Sequence, residues 1–283
     1  MEIPAGKPSE VMKLSLNAAV ILGAAALAMV ACGKADSGSA PAAPGDTPDP
    51  GYLAAPQIVA LVRAPDGALS LAGRATPSSQ VRLASPSGAR LETTADGKGD
   101  WRTQLGPVSE PALYGLSAEA DGRRIQGEGY VAILPGRPTV ALLRAGSGAQ
   151  VLDGAPGGTV RLLALDIDSG GATVVSGLAA AGAPVRLLID EVVAIQAAAG
   201  ADGRFSLILP KALPPGAHTI RALTAKAHAD AAVTITAIAP LTDGPYRITP
   251  AGGGWRVDWM TPGVGRQTTL LLGAAQADSK ADK

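Results

Sequence analysis

Few residues in this chain have the types and spacing that chemistry needs. Asp166 and Asp168 stand two apart in "LALDIDSGG", with Gly170 behind them. A D-x-D-x-G run can wrap carboxylates around a calcium ion. A complete loop also needs further acidic ligands and a glutamate at its twelfth position, which this stretch lacks, so the pair reads as turn carboxylates in water. Asp96 and Asp100 in "ADGKGD" read the same way. Of the two histidines, His218 and His228, the first opens an alternating stretch and reads as a packing residue with a satisfied ring. Neither assembles a Ser–His–Asp or Cys–His set. "GAPGG" and "AGGGW" are glycine-rich but lack the strand–loop–helix setting of a phosphate cradle, and read as hairpin turns. Trp255, Val257 and Trp259 fall on one face of "WRVDW". Two exposed indoles there would form a stacking platform for a sugar ring. The alternative is that they pack this strand onto its neighbour. Cys32 is the only cysteine, which excludes an intrachain disulfide framework and a cysteine-based zinc site. Nothing here calls for a cofactor or a catalytic residue, and the expectation is a chain that is not an enzyme.

The bulk properties agree. Lys and Arg total 24 against 24 Asp and Glu, so no net field steers the chain toward nucleic acid. Aromatics make up only 3% of the 283 residues, while glycine and proline number 36 and 23. Small residues bury little apolar area each, so the cores should be thin.

Around Cys32 the pattern becomes specific. Lys13 precedes a nearly unbroken apolar run, "LSLNAAVILGAAALAMVA", over residues 14–31. A short positive region, an apolar stretch and small residues at its end mark a secretory signal. As a membrane-spanning helix the run is at the lower length limit and rich in weakly apolar alanine. Its end, "MVAC", resembles the lipobox of bacterial lipoproteins: Met29, Val30 and Ala31 precede the cysteine. The resemblance implies diacylglycerol on the Cys32 sulfur, cleavage before Cys32, and acylation of the new amine with a palmitate-type chain. Several acyl chains hold a protein on a membrane where one does not. Gly33 in place of aspartate implies an outer-membrane address, facing the periplasm of a Gram-negative cell. "MEIPAGKPSEV" fits no signal, so translation is expected to begin at Met12. Residues 32–55, rich in Ser, Gly, Pro and Asp, read as a flexible tether.

Beyond the tether the chain repeats itself. "ALSLAGRATPSSQVRLAS" aligns with "ATVVSGLAAAGAPVRLLI" at an offset of 104, setting Gly73 on Gly177 and Val81-Arg82-Leu83 on Val185-Arg186-Leu187. Asp96-Gly97 answers Asp202-Gly203, and Trp101 answers Phe205. Within each copy the apolar residues alternate, as in "VRLLID", where Val185, Leu187 and Ile189 share a face and Leu188 is the exception. Short alternating runs with Asp-Gly and Pro-Gly turns between them specify an all-β sandwich. The order gly-x-V-x-L, A-D-G-x-W/F, G-x-H-x-h-x-A resembles the bacterial Ig-like modules of envelope and surface proteins. A third, partial echo sets Val140–Arg144 on Val59–Arg63 and Gly154 on Gly73, and stops short of an Asp-Gly-aromatic block.

The sequence thus predicts an all-β fold: two tandem Ig-like β-sandwiches and a small C-terminal β-meander, preceded by a signal-peptide helix and a disordered tether. The divisions are residues 1–31 (signal peptide), 32–55 (tether), 56–136 (first Ig-like domain), 138–240 (second, with extra strands from 138–165), 241–274 (meander packed on the second domain) and 275–283 (polar tail). The expected role is a lipid-anchored envelope protein with a structural, adaptor or protein-binding function. Its partners would be the membrane, through Cys32, and an envelope protein. The alternative is a carbohydrate- or peptidoglycan-binding lipoprotein that uses Trp255 and Trp259 on a glycan.

Overall fold

A computed structural model describes residues 53–136, 140–152, 159–263 and 265–273. The signal peptide, Cys32, most of the tether and the polar tail lie outside the described residues. The described residues all belong to one compact unit, residues 50–283.

They are built from strands. The N-terminal half contains β1 (Gln57–Arg63), β2 (Leu69–Arg74), β3 (Gln80–Ala84), β4 (Arg90–Thr94), β5 (Asp100–Leu105), β6 (Ala112–Ala120), β7 (Arg123–Ile133), β8 (Val140–Leu143) and β9 (Gln150–Val151). The C-terminal half contains β10 (Arg161–Asp168), β11 (Thr173–Leu178), β12 (Pro184–Ile189), β13 (Val192–Ala198), β14 (Arg204–Ile208), β15 (Gly216–Leu223), β16 (His228–Ile235), β17 (Tyr246–Ala251), β18 (Gly254–Met260) and β19 (Arg266–Leu271). They form four sheets, here numbered 1 to 4: β1-β2-β5, β4-β3-β6-β7-β8-β9, β14-β11-β10-β19-β18-β17 and β13-β12-β15-β16. Sheets 1 and 2 make one Ig-like sandwich, and sheets 3 and 4 make the other.

The repeat holds down to single residue pairs. In the first copy Gln57 lies opposite Arg74 and Ile58 opposite Gly73, with a register shift before Ala60. In the second, Arg161 lies opposite Leu178 and Leu162 opposite Gly177, with the same shift before Ala164. Gly73 faces Trp101 across the sheet and Gly177 faces Phe205. A Cβ at either glycine would run into that aromatic ring and into a carbonyl of the adjoining strand. The glycine is therefore the seat of the aromatic, which is why the two recur together.

Residues 138–165 do not all go where the sequence reading placed them. β8 and β9 continue sheet 2 beyond β7, with Tyr130 opposite Leu143 and Ile133 opposite Val140. The counterpart of β1 is β10, not β8. The physical reason is double-sided burial. Val140 fills the first sandwich's core, while Ala141 and Leu143 face the other way into a second apolar layer. β17, β18 and β19 do not form a separate layer over the second sandwich. β19 pairs with the free side of β10, setting Leu165 opposite Leu270, and so extends sheet 3 to six strands.

Three cores follow from four layers. Leu71, Leu83, Trp101 and Leu116 fill the space between sheets 1 and 2. Val175, Leu187, Phe205 and Ile220 fill that between sheets 3 and 4. The third core lies between sheets 2 and 3, where Leu134, Ala141 and Leu143 meet Leu163, Val257 and Trp259. β11 is consequently buried along its whole length, whereas β2, its counterpart in outer sheet 1, alternates between buried and half-exposed. The two sandwiches are stacked face to face and share this middle layer of side chains.

Candidate functional site

Trp255, Trp259 and Asp166 converge on that middle layer. Trp259 is 0% exposed. Its indole N–H donates to Thr269 Oγ1 at 3.1 Å, and the Tyr130 ring meets it edge to face, centroids 5.6 Å apart. Trp255 is half-buried on the same core. The two indoles therefore do not form an exposed platform for a sugar ring. Alternation along β18 aims them both at sheet 2, and the packing of the sandwiches covers them.

Asp166 corrects a second expectation. It is a buried carboxylate, 2% exposed, and not a turn residue in water. Its position on β10 faces the third core. It accepts hydrogen bonds from the Ala149 backbone N–H at 2.6 Å, the Thr269 hydroxyl at 2.6 Å and the Gln267 amide at 3.0 Å. Burial pushes its pKa up, opposed by those three donors and by the charge of Arg144. Ala149 belongs to the β8–β9 connection of sheet 2, so this carboxylate ties one sandwich to the other. Two further bonds do the same: Arg204 Nη1 donates to the Val151 carbonyl at 3.1 Å, and Ser206 Oγ to the Ser147 carbonyl at 2.8 Å. Asp168, by contrast, caps its own turn, accepting from the N–H groups of Gly170 and Ala172. Asp96 does the same in the β4–β5 turn, accepting from the N–H groups of Lys98 and Asp100. Among the described residues no cluster of acidic, histidine or cysteine side chains could hold a metal ion.

A second buried carboxylate, Asp258, is 1% exposed. Arg256 Nε reaches it at 2.9 Å, Arg247 Nη2 at 2.9 Å and the Thr268 hydroxyl at 2.6 Å. Burial alone would raise its pKa; the Arg256, Thr268 and Arg247 hydrogen bonds outweigh burial and hold it below the usual carboxylate range. Arg256 also donates to Thr236 Oγ1, which links β18 to the chain leaving β16.

The remaining cluster lies on sheet 4, at the β12–β13 hairpin. Asp190 and Glu191 form a two-residue turn with φ of 49° and 66°. Left-handed backbone at two non-glycine residues in succession is costly and needs external support. Asp190 Oδ1 accepts from the Thr219 N–H at 2.9 Å, and Oδ2 lies 2.8 Å from His218 Nδ1. His218 Nε2 lies 2.9 Å from the Pro214 carbonyl. Both ring partners are acceptors, so the imidazolium, with a proton on each nitrogen, satisfies both. The Asp190 carboxylate, then the Pro214 carbonyl, push the His218 pKa up. The Thr219 N–H, then His218, pull that of Asp190 down. Glu191 pairs with Arg221 at 3.0 Å.

Sequence reasoning missed the joint and this turn. The signal for the joint was the near-continuous apolar run of β10, "RLLALDID", which marks burial on both faces and makes its aspartate anomalous. The signal for the turn was Leu188. A register shift between Leu187 and Leu188, with Ala194 as the extra residue, breaks the alternation at that point.

No protein-family model and no curated protein matches the sequence. Among solved structures, a biofilm-associated protein's BSP domain is 15% identical at a TM-score of 0.22, with 66% of this chain and 30% of that one covered. A structure that bears on host cell surface retention of a 1.5-MDa bacterial ice-binding adhesin is 10% identical at a TM-score of 0.22, covering 73% of this chain and 80% of that one. The central fibronectin-III array of RIM-binding protein is 16% identical at 0.23, covering 74% of each chain. This chain spans less than a third of the first of these. At such scores the fold assignment rests on the strands and cores themselves.

Proposed function

We propose that this chain is a lipid-anchored protein of the bacterial envelope whose paired Ig-like sandwiches serve as a non-catalytic binding and spacing body. The anchor is Cys32 and the address is the periplasmic face of the outer membrane, on the strength of the lipobox-like run that ends there. The observation that carries the non-catalytic reading is where the strongest functional groups sit. Asp166, Asp258 and Trp259 are spent inside the body, each committed to intramolecular partners. What faces outward is strand edge, and an edge recognises an extended segment through backbone hydrogen bonds. The partner class is therefore a protein that offers a strand.

The anchor is tested by metabolic labelling with a fatty acid in cells that make the full chain, beside Cys32→Ser. Wild type should take label and lose the first 31 residues, and the variant should persist as unlabelled precursor. A variant processed and membrane-bound like wild type would end the anchor proposal.

A further inference from the structure

Eight strand edges terminate the four sheets, and one of them differs in kind. Of the described edge strands longer than two residues, β13 alone carries no ionisable side chain; its sequence is "VVAIQAA". Natural edges are usually guarded by charge, proline, shortness or a bulge, because a bare edge accepts another strand; the bulge of β13 sits at Ala194, and residues 195–198 beyond it keep a regular register with β12. The other copy of the repeat makes the comparison direct. β4 holds the same place, with Leu83 opposite Leu91 and Arg82 opposite Glu92, as Leu187 lies opposite Ile195 and Arg186 opposite Gln196. The Ala95 N–H bonds the Ser79 carbonyl, and the Ala199 N–H bonds the Ala183 carbonyl. Antiparallel pairing alternates, so the backbone groups of Arg90 and Glu92 in one copy, and of Gln196 and Ala198 in the other, point away from the sheet. Where β4 has Arg90, opposite Ala84, and Glu92, β13 has Val193, opposite Leu188, and Gln196, with Ala194 as the bulged residue between them. The guard charges are missing at the matching positions.

Two more features keep this edge open. Val192 and Val193, which lead into β13, are 69% and 55% exposed. The strained Asp190–Glu191 turn before them is fastened to β15 through Thr219, His218 and Arg221, so it cannot fold across the edge.

We infer that β13 pairs antiparallel with β13 of a second copy of this chain. This deepens the strand-edge reading above and rests on it. A two-fold pair is self-complementary, since each copy presents the same edge. With no charge along the strand, no like charges meet across the axis, a cost that β4 would incur with itself. The axis falls near Gln196, where the two amides lie opposite each other. Sheet 4 then becomes an eight-stranded sheet that runs through both copies.

The test places a photo-crosslinking amino acid at position 196 of the full chain in cells that produce it, with position 92 as the comparison. The expected product at 196 is a band of twice the chain mass that contains this chain alone, and no such band at 92. Separately, Gln196→Lys with Ala198→Lys, both exposed, in the purified full chain should weaken self-association by roughly tenfold or more in sedimentation. At a concentration low enough to keep the wild type monomeric, its melting temperature should match the wild type, since both side chains are exposed at the edge. No doubled band, or a band that joins this chain to a different polypeptide, overturns self-pairing. The second of these leaves strand-edge binding intact, and neither bears on Cys32.

Discussion

Replacing Asp166 with alanine should uncouple the two sandwiches. The carboxylate is the acceptor for three donors, at 2.6, 2.6 and 3.0 Å, and alanine leaves the Ala149 N–H, the Thr269 hydroxyl and the Gln267 amide without it. A buried donor stripped of its acceptor costs about 1–3 kcal/mol. Thr269 keeps its contact with the Trp259 indole only as an acceptor, so its own proton is stranded. Against this, the variant no longer holds a carboxylate that burial disfavours. The balance should be a loss of about 3 kcal/mol, near the lower end for breaking a buried charged interaction. Urea unfolding of the full chain, followed by tryptophan fluorescence and far-ultraviolet circular dichroism together, reads this out. Trp259 reports the joint, Trp101 the first core, and the dichroism all four sheets. Wild type should give coincident curves. The variant should shift to lower urea, with fluorescence leading because the joint opens first. A loss below about 1 kcal/mol with curves still coincident would show that the apolar layer alone holds the sandwiches together, and the argument for Asp166 would be wrong.

Other expectations follow from the same geometry. Gly177→Ala drives a methyl into the Phe205 ring and the Arg161 carbonyl, and should cost about 1–3 kcal/mol by overpacking; denaturant midpoints measure it, and Gly182→Ala, where a Cβ meets nothing but φ is positive, is a strain-only comparison. The raised His218 pKa means that its contribution to stability is complete below the unfolded value of about 6.5 and fades as pH rises through the folded value. Asp190, with a lowered pKa, contributes above its unfolded value and loses that contribution as pH falls through the folded one. Melting curves of wild type and His218→Gln should therefore differ most in mildly acidic buffer and converge in alkaline buffer; a gap that does not change with pH would contradict the imidazolium assignment. Acrylamide should quench the Trp259 fraction of the emission poorly, and accessible quenching of all three tryptophans would be incompatible with the closed joint.

The all-β class, the Ig-like order of strands and the repeat were legible because each is written in local pattern: alternation, Asp-Gly turns, and a glycine that seats an aromatic. The stacking of the sandwiches was not, because it depends on both faces of the same strand. β8 echoes β1 in composition, "VALLR" against "VALVR", yet the two occupy different places. Composition fixes that a strand forms, whereas its partner depends on which edge is vacant when the chain arrives. Asp166 was misread for a related reason. Only Ile167 separates it from Asp168, and the two carboxylates share a face of β10; what differs is depth along the strand, since Asp166 lies within the joint and Asp168 ends the strand and caps the turn that follows. Trp255 and Trp259 were correctly seen to share a face, but only the tertiary arrangement shows that sheet 2 covers it.

The face of sheet 3 that docks on sheet 2 has a twin on the outside of sheet 1. There Arg102 stands where sheet 3 has Ser206, which bonds Ser147 of sheet 2, and Ser70 stands where it has the buried Val174. The opposite end of the stack, the outer face of sheet 4, carries Arg186, Arg221 and Asp230. Polar and charged side chains thus stand on both outer faces of the stack, beside the exposed Val62 on sheet 1. Stacking a further sandwich on either outer face would bury these charges, whereas growth along the strands' hydrogen-bonding direction would not.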